Sequence, residues 1–407
     1  MGSLAAVLLL WLLNALLTFA IAQPLIRLPQ AGIEARHLAV VYLKNDPESL
    51  AIANYYQQQR SIPAENIVAV EFDSNQHTVD PGVFAVQKAV IEAQLPEAIQ
   101  AYALAWTKPF RVGCMGMTAA FAFGYDVSYC ANGCKRTRRS AYHHTTSVRP
   151  YDNFSIRPTM MLAGNSTESI KRLIDRGVSA DDKQPEASAL LLKTADKSRS
   201  IRRRYFPEFK NEFSTQLNIK IFDADAVFER SDILFYFTGA KAVEGLETLS
   251  FLPGAIADHL TSHGGTLVNS SQMSAVEWLE AGATASYGTA IEPCNFLEKF
   301  PDPRLIARYY LRGNTALEAY WKSVVMPGQG NFIGEPLAKP FRGYRMRRGD
   351  NSWEIESPVF YPGYYDIYAG SLFGETLLET KLFRKGENSI SLRPPFAQSY
   401  RIERKRL

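Results

Sequence analysis

Apolar runs short enough to be buried strands alternate with amphipathic stretches of helical length along most of this chain. Residues 37–43 (HLAVVYL) form the first such run. Asp46-Pro47 then supplies a helix cap and a first-turn proline, and residues 48–60 carry Ile52, Tyr55 and Tyr56 at helical spacing. Residues 66–72 (NIVAVEF) predict a second strand, 84–98 a second helix and 102–106 (YALAW) a third strand. Strands that read as near-continuous apolar runs are covered on both faces. The pattern therefore predicts an α/β fold, a mostly parallel sheet with helices on both faces.

Between residues 111 and 158 the alternation stops. So long an irregular segment in a compact domain is usually a functional loop or lid. The pattern then resumes with strands at 159–162, 189–193, 219–222, 232–237, 266–269 and 283–287. The helices predicted among them cover 167–176, 202–213, 253–262, 272–281, 303–312 and 315–324. Beyond Pro340 four short strands, 353–360, 365–369, 375–383 and 389–392, are separated by Pro-Gly, Gly and Gly-Glu-Asn turns. This part, 341–407, reads as a small β-sandwich after an α/β domain spanning 23–340.

The start of the chain changes the picture of where the protein works. Residues 1–22 carry no charge and are apolar almost throughout, and Ala20-Ile21-Ala22 offers small residues where a signal peptidase cleaves. An uncleaved anchor has the same length, but the Gln23-Pro24 boundary favours a signal peptide removed after Ala22. No second long apolar run follows, so no transmembrane segment is expected after cleavage, and the protein is expected to be exported to the periplasm or beyond. The net charge of +4 comes from 45 basic and 41 acidic residues, too balanced to predict a nucleic-acid partner. The basic clusters at 135–139, 202–204, 342–348 and 401–406 read as solvated faces or as contacts for anionic glycans or lipid head groups.

An oxidising compartment makes the four cysteines candidates for disulfides. Cys130 and Cys134 enclose the turn-forming Ala131-Asn132-Gly133, which predicts a local bridge and leaves Cys114 for Cys294. Zinc held with His143 and His144 is the alternative, at a spacing that matches no standard finger. No cofactor or metal is implied.

Candidate chemistry concentrates between Thr261 and Asn295. Ser270, Ser271 and Gln272 follow the predicted strand 266–269, and Glu292, Cys294 and Asn295 follow 283–287. Thr238 and Gly239 close another strand. In parallel sheets ligands bind at the carboxyl ends of strands, and a serine there is a nucleophile or simply a helix cap. His259 and His263 sit four apart on the predicted helix face, without the glutamate of a metalloprotease pattern.

Several long segments carry a resemblance: residues 40–67, SDILFYFTG (231–239), FLPGAIADHLTSHGG (251–265), residues 272–303 and NFIGEPLAKPF (331–341). They resemble a family of uncharacterised exported bacterial proteins associated with genomes carrying the PEP-CTERM/exosortase sorting system. The order of elements is also similar to gingipain-type cysteine peptidases, which implies a caspase/gingipain-like sheet and an immunoglobulin-like tail. In those enzymes the turn after the first strand carries the catalytic histidine and the next the cysteine. The resemblance places Thr238-Gly239 and Ser270-Ser271 at these turns, so the thiolate–imidazole pair is missing. It implies a non-catalytic binding or assembly protein in the envelope, with an envelope glycan or another envelope protein as partner. The alternative is a hydrolase with a rearranged site, using Ser270 or Ser271, or Cys294, with His263 or His143.

Overall fold

A computed structural model describes residues 23–131, 133–371 and 374–405; the expected signal peptide lies outside them. The chain divides into two compact units, residues 31–343 and a smaller one made of the segments before 31 and after 343.

The larger unit is built on one ten-stranded mixed sheet. Its strands in chain order are β1 (Leu38–Leu43), β2 (Ile67–Val70), β3 (Ala101–Leu104), β4 (Thr159–Met161), β5 (Ser188–Leu192), β6 (Asn218–Phe222), β7 (Arg230–Thr238), β8 (Leu249–His259), β9 (Ala285–Thr289) and β10 (Gly330–Gly334). In space they run β6-β5-β7-β8-β9-β10-β4-β3-β1-β2. Every junction is parallel except β9 with β10, where Thr289 faces Gly330 and Ala285 faces Gly334. The sheet thus joins two parallel halves of opposite direction, and the carboxyl ends of β5 to β9 lie along one edge.

Alternation along the strands splits the core in two. Val40, Ala103 and Met160 enter one apolar cluster together with Ile52 and Tyr56 of the helix Pro47–Arg60. Val41, Leu104 and Met161 enter the other, with Phe84 and Ile91 of the helix Pro81–Glu92. The first helix starts as expected after Asp46; the second, expected over 84–98, spans Pro81–Glu92, and in each an aspartate (Asp46, Asp80) accepts from free amides of the first turn with proline at the first position.

Four expectations are corrected. Residues 253–262 form no helix; they belong to β8, whose Ala255–His259 segment is completely covered. An apolar run covered on both faces has no period that separates strand from helix. Residues 266–269 pair with no strand, and the following helix shrinks to Val276–Glu280. The strand β10 was unread because its sequence, GNFIG, has turn-like glycines. Gly330 is needed there, since a Cβ would lie 2.2 Å from the Tyr287 hydroxyl. Finally, the insertion at 111–158 is not all irregular. It holds the helix Met117–Phe123, buried on every side and therefore without amphipathic signal.

The small unit contains two sheets. One orders Leu25–Arg27, Ser399–Arg404, Gly363–Ser371 and Gly374–Phe383, with the first pair parallel. The other is antiparallel, Arg345–Arg348, Trp353–Glu356 and Ser389–Leu392. Alternate residues are buried, among them Ile355, Tyr365, Ile367, Ile390 and Ile402, and Phe383 stacks on Phe360 at 4.8 Å. Residues 25–27, expected in the α/β domain, belong to this unit.

Candidate functional site

The carboxyl ends of β7, β8 and β9 bring most of the candidate residues to one edge. At the end of β7 the Thr238 carbonyl accepts from Arg202 Nη2 at 2.8 Å and from the Leu260 amide at 3.0 Å. Gly239 follows, packed so closely that a Cβ would sit 2.0 Å from the Arg199 carbonyl oxygen; only glycine fits. Arg202, read from sequence as part of a solvated basic run, is buried and pairs with buried Asp258 of β8 at 2.5 Å. Burial pushes the Asp258 carboxyl up, against the Arg202 charge beside it.

β8 ends in His259, not in a helix, so the pairing of His259 with His263 on a helix face does not exist. The Trp278 indole donates to His259 Nδ1, and Nε2 faces the Met273 carbonyl at 3.1 Å. This arrangement requires the neutral ring with its proton on Nε2. Burial lowers its pKa to about 4.

Beyond His259 the chain closes into a clasp. Thr261 Oγ1 donates to Gln272 Oε1 at 2.6 Å and accepts from Arg199 Nε at 3.0 Å. The His263 amide also donates to Gln272 Oε1. Ser270 Oγ donates to the His263 carbonyl and accepts from the Gln272 amide, each at 3.2 Å. Ser271 is exposed. Thr289 Oγ1, at the end of β9, lies 2.9 Å from the Ser262 carbonyl oxygen. Thr261, His263, Ser270 and Gln272 are therefore brought together. Among the described residues, however, no imidazole hydrogen-bonds to Ser270 or Ser271. Both bonds of Ser270 fix the loop.

On the next loop Glu292 accepts from the Cys294 amide at 2.7 Å, and its carbonyl accepts from Gln329, which in turn accepts from buried Lys299. Desolvation lowers the Lys299 pKa. Asn295 is exposed beside it.

The expected disulfide pairing is overturned. Cys114 is bonded to Cys130, and Cys134 to Cys294, with Cα separations of 5.8 and 5.3 Å. Cys130 is buried against the apolar cluster that also takes Cys114. Gly133, at φ +74°, turns the chain so that exposed Cys134 reaches the loop after β9 instead. A local bridge was inferred from a turn, but the turn sends the two thiols to different partners. All four sulfurs are thereby withdrawn from thiolate chemistry and from zinc.

This second bridge ties the insertion to the sheet edge. Ser140 and His144 donate backbone N–H bonds to the carbonyls of Val325 and Lys322, holding the His143 segment against the end of the last helix, Ala316–Trp321. The result is a cleft of about 290 Å³, lined by His143, His144, Tyr205, Phe300, Asp302 and Arg304 among others. Arg202 anchors its wall: from the turn Ser200–Tyr205 it bonds both the end of β7 and the Pro301 carbonyl. The cleft contains none of Ser270, Ser271 or Cys294, so His143 is not a base for them. Sequence reasoning missed Tyr205, Asp302 and Arg304; only the unexplained irregularity of 111–158 pointed here.

No family model matches the chain, and no curated protein matches it. A solved structure described as "Structure of Protease" is similar over 92% of this chain and 98% of that chain, at 11% identity and a TM-score of 0.46.

Proposed function

We propose that this chain is an exported, non-catalytic binding or assembly protein built on a degenerate caspase/gingipain-like domain with an immunoglobulin-like tail. One observation carries the reading: of the candidate nucleophiles at the sheet edge, Ser270 and Cys294 are spent on structure, and exposed Ser271 has no imidazole hydrogen-bonded to it. Ser270 fastens the loop around Gln272, Cys294 is in a disulfide, and the histidine at the strand end has both ring nitrogens occupied. A hydroxyl without an adjacent base is protonated and a poor nucleophile. The edge retains what recognition needs, namely polar groups on a rigid frame at the carboxyl ends of parallel strands.

The test is treatment of purified mature protein with serine- and cysteine-directed covalent probes, alongside turnover of a peptide library. The expected result is no labelling and no turnover. Hydrolysis abolished by Ser270→Ala, Ser271→Ala or Cys294→Ala, with the fold intact, sinks the reading and establishes the rearranged hydrolase.

A further inference from the structure

The cleft beside His143 has a wall chemistry specific enough to name a ligand class. The charged side chains that line it are paired with neighbours, while Arg139 and Arg204 stand outside the lining near His143 and Tyr205. Arg304 pairs with Asp302 and Glu208, Arg308 with Glu212 and Arg136 with Glu298. An ion drawn to one of these lining groups would compete with its partner, whereas a hydroxyl can accept from a guanidinium and donate to its carboxylate without disturbing the pair.

Two groups on the wall remain unengaged: neither the His143 ring nor the Tyr205 hydroxyl has a hydrogen-bond partner among the described residues. Burial, together with the neighbouring His144, lowers the His143 pKa to about 4, so at neutral pH the ring carries one donor and one acceptor. Phe300 and Leu305 close the floor of the cleft but belong to the core, at 3% and 8% exposure, so the accessible wall is mainly polar. The volume falls just below the range of drug-sized ligand sites.

We infer that the cleft binds a single uncharged sugar ring, free or at the end of a glycan, with His143 and Tyr205 bonding its hydroxyls. A sugar hydroxyl both donates and accepts, which is what a neutral imidazole, a phenol and internally paired Arg–carboxylate groups offer. This rests on reading the edge as a binding surface rather than a cutting one.

The experiment is calorimetric titration of the full mature protein with glucose, galactose, mannose and N-acetylglucosamine. A parallel arm uses disaccharides ending in the same units. Glucuronate, glucosamine and a mixed peptide pool serve as contrasting probes. Saturable binding of at least one neutral sugar is expected, weakened tenfold or more by His143→Ala and several-fold by Tyr205→Phe, with melting temperatures preserved in the latter. A free sugar binding as well as its disaccharide identifies the single ring as the recognised unit. Disaccharide binding alone supports a glycan end. Saturation only by glucuronate, glucosamine or peptide, no saturation by any neutral sugar, or affinity unchanged in both variants overturns the inference. Turnover dependent on Ser270 or Ser271 is scored separately, so loss of the non-catalytic reading is distinguishable from loss of this one.

Discussion

The Trp278 indole N–H donates to Nδ1 of His259 at 2.9 Å, locking the ring that ends the central strand β8. Both residues are buried, so the bond has no water substitute. Trp278→Phe strips the donor and leaves a buried imidazole nitrogen unpaired, besides opening a small void. It should lower unfolding free energy by about 1–3 kcal/mol in urea titration. A change below about 0.5 kcal/mol would show that the bond carries no stability.

The same imidazole predicts how stability depends on pH. His259 has a folded pKa of about 4, below its ordinary value of 6.5, because burial penalises the cation. Below pH 6.5 the unfolded chain takes up a proton that the folded chain refuses. Stability from this group is therefore fully present above pH 6.5 and falls as pH drops towards 4, by on the order of 1.4 kcal/mol per pH unit. Denaturation midpoints measured across that window should show the slope, and His259→Gln should flatten it. An equal slope in the variant refutes the assignment.

Arg202 and Asp258 form a buried pair behind the strand ends. Asp258→Ala leaves the guanidinium buried and unpaired and should cost about 3–5 kcal/mol. Replacing both, as Arg202→Met with Asp258→Leu, should cost less than the single change. A double-mutant cycle in denaturant checks this, and additivity of the two losses would rule out coupling.

Non-reducing peptide mapping should recover the peptides of Cys114 with Cys130 and of Cys134 with Cys294. The Cys134→Ser, Cys294→Ser protein loses the tie between the insertion and the edge. It should be about 2–5 kcal/mol less stable and be nicked by proteases within residues 111–148. A linked Cys130–Cys134 peptide would contradict the pairing.

Cleavage after Ala22 is expected from the uncharged apolar start and its small-residue site. Mass spectrometry of protein from the expressing cell should show an N-terminus at Gln23. Intact Met1 in the membrane fraction would count against export with cleavage.

Much of the architecture was legible because local signals suffice for local structure. Asp46-Pro47 marks a helix start by satisfying free amides, and runs such as LAVVYL can only be buried. The layered α/β class and the β-rich tail follow from those signals alone. What failed were properties settled by long-range contact. A buried run such as residues 254–259 lacks the polar face that would reveal its period, so strand or helix was decided by the flanking strands β7 and β9. The direction of β10 depends on its antiparallel register with β9, which no local signal encodes. Cys134 found Cys294 across 160 residues because a turn aimed it there, while its near neighbour Cys130 was captured by the core. The candidate site divides the same way. The sequence by itself determined which polar residues and thiols stand near the strand ends. Only the tertiary structure decided that Ser270, Cys294 and His259 are consumed by structural bonds, and that His143 stands apart from them in a cleft assembled from segments far apart in the chain. Reactivity depends on which neighbour occupies each polar atom, and that is settled when the chain packs.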